Sequence, residues 1–257
     1  MRHMRRSMKI RVSLAVTCTF LLLPPMQALA ESGTAFDQFL SGELADQPAR
    51  ESDYTVISVS TEEELAELAE NCQLDSWSRD KYIQLESDIS LKEYTGLEIP
   101  SFGGIFDGGG HRISNLEITE AGSARGLFRY IQETGRVRDL EVSGRVLPEG
   151  TRSQVGVLAG VNYGHITNCT VFGSAVGSQD VGGIAGVNES TGEIRACQSA
   201  VMVVGDHSAG GICGTNRGIL NNCTNTGNIN THSTEVTYSL EDITMEGLED
   251  INSVENV

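Results

Sequence analysis

VGVLAGVNYGHITNC (155–169), VGGIAGVNESTGEIRAC (181–197) and AGGICGTNRGILNNC (209–223) are three copies of one unit. The asparagines Asn162, Asn188 and Asn216 recur at intervals of 26 and 28 residues, and the cysteines Cys169, Cys197 and Cys223 at 28 and 26. The intervals swap because Glu189–Thr191 lengthen one turn of the second copy. A fixed period of this size means stacked structural repeats. Each copy holds short apolar runs bounded by Gly and Asn, such as Val157-Leu158-Ala159 and Ile166 through Val171. Such runs lack helical periodicity and read as strands. Three short strands per copy fit one coil of a parallel β-helix, with coils about 4.8 Å apart.

In that arrangement equivalent residues form ladders. The inward ladders expected are Leu158/Ile184/Ile212, Ala159/Ala185/Cys213, Ile166/Ile194/Leu220 and Cys169/Cys197/Cys223. Gly160, Gly186 and Gly214 are expected at sharp bends that need φ > 0. Asn162, Asn188 and Asn216 are expected to stack at a corner, their amides bonding to one another and to the turn. Weaker copies lie upstream, at Gly126-Leu127-Phe128 with Leu140, and at Phe106–Ile113 with Leu116. Placing Leu116 and Leu140 in line with the three cysteines predicts five coils.

These units resemble GLUG repeats, found in bacterial surface proteins and in the non-catalytic N-terminal parts of IgA-specific peptidases. SFGGIFDGGGHRISNLEIT (101–119) is similar to the opening coil of such proteins, and residues 54–92 to their lead-in. The resemblance covers roughly 54–227 and implies a right-handed parallel β-helix. It implies no activity, since none is generally assigned to the repeats.

Outward from the repeats, the chain divides as follows. Residues 1–30 read as a signal peptide, with Arg2, Arg5, Arg6, Lys9 and Arg11 before the apolar run Val12–Leu23 and an Ala28-Leu29-Ala30 cleavage site. Residues 31–53 read as an acidic linker. Residues 54–80 read as a strand and a helix that covers the first coil, opened by a Ser60 or Thr61 cap and Glu62, Glu63 and Glu64. Tyr82–Ile89 reads as a strand, 92–104 as a loop around Pro100, and 81–230 as the β-helix. Residues 231–257 form an acidic tail, readable as a truncated further coil; 234–257 carry seven acids and no base.

The chain has 18 basic and 35 acidic side chains, a formal charge of −17. Removing residues 1–30 takes away five bases and no acid, leaving 13 against 35 and a charge of −22. Such a protein repels phosphate backbones, which argues against nucleic acid as a partner. No C-x-x-C occurs, and no His sits at ligand spacing from a Cys, so neither a metal nor any other cofactor is expected. Cys169, Cys197, Cys223 and Cys213 read as small buried apolar groups. Adjacent coils place Cα atoms within disulfide range, so one bridge in that ladder stays open.

For catalysis, H-E-x-x-H is absent at His111, His165, His207 and His232. Asp107, His111 and Arg112 could be cast as a carboxylate and basic set for carbohydrate cleavage, but Asp107-Gly108-Gly109-Gly110 is turn chemistry and no second carboxylate recurs on that face. The sequons at Asn168, Asn188 and Asn222 fall on repeat positions and read as incidental. No catalytic residue is assigned. The expectation is a secreted or cell-surface, non-catalytic module for adhesion or spacing, with a glycan or protein partner at a cell surface. The alternative is the non-catalytic N-terminal arm of a larger secreted peptidase or other exoenzyme, and after that a carbohydrate-active β-helix.

Overall fold

The computed structural model describes residues 54–150 and 152–230. The expected signal peptide (1–30), linker (31–53) and acidic tail (231–257) lie outside the described residues. All strand pairs are parallel, and they form three sheets that run the length of a β-solenoid of about six turns. The first sheet stacks β1 (Thr55–Val59), β2 (Lys81–Leu85), β5 (Ile105–Asp107), β8 (Arg136–Arg138), β12 (His165–Thr167), β15 (Glu193–Arg195) and β18 (Ile219–Asn221). The second stacks β3 (Ile89–Ser90), β6 (Arg112–Ile118), β9 (Glu141–Val146), β13 (Thr170–Gly182), β16 (Gln198–Gly210) and β19 (Thr224–Asn225), with β10 (Ser153–Val155) paired to β13. The third stacks β4 (Ile99–Phe102), β7 (Phe128–Ile131), β11 (Ala159–Asn162), β14 (Ala185–Asn188) and β17 (Cys213–Asn216).

Each turn visits the three sheets in that order, so every strand pairs with its equivalent one turn away. The structure adds a turn to the five expected. Residues 92–104 are not all loop: Ile99–Phe102 form β4, paired to β7. Pro100 hid this strand. It is tolerated because β4 is the edge of its sheet, where a missing N–H breaks no ladder.

The core is one continuous column. In the first sheet Ile57, Ile83, Phe106, Val137, Ile166, Ile194 and Leu220 lie in register. Phe102, Phe106 and Phe128 fill the early turns, with ring centroids 5.3 to 6.0 Å apart. Further along, the ladder of Phe128 continues as Ala159, Ala185 and Cys213, so the column narrows. The helix α1 (Glu62–Asn71) closes the N-terminal end. Thr61 caps it by accepting from the Glu64 amide, and the Glu64 carboxylate reaches back to accept from the amide of Ser60, just before the cap. Leu65, Leu68 and Ala69 on its inner face join the core.

The register corrects one expected ladder. The Glu141 amide bonds the His111 carbonyl, and the Thr170 amide the Leu140 carbonyl, so His111 stands in line with Leu140 and the cysteines. Leu116 instead pairs with Gly144. Leu116 lies five residues further along β6, past a β-bulge between Ile113 and Leu116 that has Asn115 at φ 58° and inserts one residue into the strand.

Candidate functional site

The Asn ladder is a backbone device. Asn162 Nδ2 donates to Asn188 Oδ1 at 2.8 Å, and Asn188 Nδ2 donates to Asn216 Oδ1 at 2.8 Å. Asn162 also closes its own turn, accepting from the Gly164 amide and donating to the Gly164 carbonyl. Asn162 and Asn188 are fully buried. The sequon at Asn188 therefore points its amide into the molecule.

Gly160, Gly186 and Gly214 correct the expectation of sharp bends. None has a positive φ, and all three lie in strands of the third sheet. Their need is space. A Cβ at Gly160 would sit 2.5 Å from the Ala124 carbonyl carbon, at Gly186 2.3 Å from that of Gln154, and at Gly214 2.3 Å from the Val181 nitrogen. The segments around Ala124, Gln154 and Asp180 press directly on that sheet. The left-handed conformations belong elsewhere, to Gly110, Asp139, Asn168, Ala196 and Asn222. Those residues turn the chain from the first sheet into the second.

Cys169 and Cys197 are buried, while Cys213 and Cys223 are half-buried near the last described rung. All five described cysteines are free thiols. Burial pushes Cys72 and Cys213 up to about 12, the condition of packing groups rather than nucleophiles.

The structure does not bring Asp107, His111 and Arg112 together. Asp107 accepts from Tyr82 Oη at 2.6 Å, from Arg138 Nε at 3.0 Å and from the Gly109 amide at 2.9 Å. Burial raises its carboxyl, but those three donors outweigh that and hold it below the usual range. Arg138 also lies over the Tyr82 ring, 5.7 Å from its centroid. His111 Nδ1 faces Asp88 Oδ1 at 3.3 Å, and Arg112 pairs with Glu141 at 2.5 Å. Each side chain ties one turn to its neighbour.

The outer face of the second sheet is different. A groove of about 380 Å³ is lined by Lys92, Thr95, Asn115, Glu117, Ser143 and Arg145, with Leu91 and Leu116 buried beneath. The backbone at Gly144 and Gly173 lines it too. Gly173 has φ 118°, and a Cβ there would meet the Gly144 carbonyl oxygen at 1.8 Å, so that stretch of floor carries no side chain. The bulge at Asn115 sets the register that brings Glu117 opposite Arg145. Phe172, 38% exposed, stands directly across from Ser143. Sequence reasoning missed this groove. The outward ladder Glu117/Arg145/Ser174/Met202 could have been found only with the register in hand.

No family model matches the chain. Over 102 residues it is 32% identical to Halomucin of Haloquadratum walsbyi, an alignment covering 39% of this chain and 1% of that protein. Over another 102-residue alignment it is 36% identical to a "Putative Gly-rich membrane protein" of Evansella cellulosilytica, covering 35% of this chain and 12% of that one. The chain thus spans a small part of the curated relatives it matches. Among solved structures, a "putative immunoglobulin A1 protease from Bacteroides ovatus" matches with a TM-score of 0.55 and 22% identity, over 70% of this chain and 59% of that one. This likeness is one of fold. No helix among the described residues is long and apolar enough to cross a membrane.

Proposed function

We propose that the chain is a secreted, non-catalytic solenoid module of a cell surface, serving adhesion or spacing. The observation that supports it is the use of polar side chains to join turns. Tyr82, Asp107 and Arg138 bind one another across three turns, and Arg112 with Glu141, and Arg217 with Glu189, each join adjacent turns. Groups spent in this way stiffen a rod and leave flat faces; they do not surround a reacting atom. The likeness of the three central units to GLUG repeats supports a surface setting, as does the basic and apolar leader of residues 1–30.

The test is binding of the purified chain to a panel of surface glycans and matrix proteins, with variants that alter one face at a time. Saturable binding lost on one face is expected. A folded, monodisperse chain that binds nothing on the panel would overturn adhesion and leave spacing.

A second reading is the non-catalytic arm of a larger exoenzyme. It draws on the solenoid shared with the Bacteroides ovatus protein and on that protein's printed title. A peptidase domain in the same reading frame would favour it.

A further inference from the structure

We infer that the groove on the second sheet binds an acidic oligosaccharide, one whose pyranose rings carry carboxylates. This deepens the adhesion reading and rests on it.

Charge carries the argument first. The protein has nearly two acids for every base, and most arginines of the described turns are engaged. Arg112 pairs with Glu141, Arg125 with Glu98, Arg138 with Asp107, Arg195 with Glu193 and Arg217 with Glu189. Four cationic side chains, Lys92, Arg136, Arg145 and Arg152, have no hydrogen-bond or ion-pair partner among the described residues, and of these Lys92 and Arg145 line this groove. Two of these four, converging on one cleft of so acidic a chain, fit an anionic ligand. Arg145 offers a planar fork that matches a carboxylate, and Lys92 a second point charge.

Shape and chemistry narrow the ligand. Glu117, directly across from Arg145, accepts hydrogen bonds, while Asn115 and Ser143 both donate and accept. Such a set serves neighbouring hydroxyls on a sugar ring. The exposed Phe172 ring next to Ser143 gives an apolar surface for the face of a pyranose. Glu117 also weighs against a dense polyanion such as a nucleic-acid backbone. The bare glycine backbone lets a ring approach the sheet closely.

The experiment is calorimetric titration of the full chain with a polygalacturonate hexamer and, separately, with neutral cellohexaose. Binding of the uronate hexamer is expected, weakening as salt rises, with cellohexaose at least about tenfold weaker. R145Q and K92Q should each weaken it about tenfold or more, the scale of a lost charge-assisted hydrogen bond. F172A should weaken it severalfold. R136Q, which removes the same charge from the first sheet's outer face, should leave it unchanged and the circular dichroism intact. No uronate binding by the folded wild type, equal binding of the neutral hexamer, or equal loss in R136Q would each overturn the inference. If the wild type binds no uronate but still binds a surface glycan or protein through another face, the groove assignment falls while the adhesion reading survives.

Discussion

The two ends of the described solenoid carry the same ladders in opposite settings. At the N-terminal end α1 covers the column: Leu65 and Cys72 are fully buried, and so is Ile83 beneath them. At the last described rung the equivalents emerge. Ile166 and Ile194 are 0% exposed, whereas Leu220, next in the same ladder, is 39% exposed. Cys169 and Cys197 are buried, and Cys223 is half-buried. Asn162 and Asn188 are buried, and Asn216 is exposed. Within a solenoid, burial belongs to having a turn on both sides, not to the residue. The repeat specifies the neighbour it will accept; the neighbour supplies the dry environment.

The largest test of that contrast is a pair of truncations. Ile194→Ala should cost about 2–5 kcal/mol of stability by urea denaturation, and Leu220→Ala under about 1, because only the first leaves a cavity. Equal losses would mean the last rung is as dry as the interior. The amide ladder should divide the same way. Asn188→Ala should cost about 1–3 kcal/mol, since it orphans buried partners in two turns, and Asn216→Ala less than half of that.

A third prediction concerns the tie between the early turns. The Asp107 carboxyl is held below its unfolded value, so its contribution is present above that value and is lost as pH falls through the folded one. Asp107→Asn should therefore lower stability at pH 7 and flatten its dependence below about pH 4, read by thermal melts across pH. A profile as steep as the wild type's would show the tie carries no such load. The smallest effect is at Ala196, which stands in the left-handed conformation where its equivalents are Gly110, Asp139, Asn168 and Asn222. Ala196→Gly should stabilise by about 0.4–1 kcal/mol, because alanine is strained there. No change in the urea midpoint would count against that account.

Much of this architecture was legible because ladders repeat in sequence. Ile166, Ile194 and Leu220, and the three asparagines, sit where their spacing put them. Sequence reasoning failed where the turns are not marked by spacing. The chain turns from the first sheet into the second at Gly110, so His111 and not Leu116 stands in the cysteine ladder, and Pro100 concealed β4. The glycines were found for the wrong reason: periodicity marks Gly160, Gly186 and Gly214 as special, but only the packed structure shows that another segment of backbone, not a positive φ, excludes their side chains.

Taken by itself, the sequence determined the period, the parallel stacking, the apolar column and the helix that closes it. Those follow from local strand signals and from the requirement that equivalent residues meet. The tertiary structure decided which outward residues share a face. Strand register is set by bulges and turn lengths, and a one-residue shift sends a side chain to the opposite face. Lys92 and Arg145, far apart in the chain, meet at one groove, with Phe172 across from its Ser143, only once that register is established.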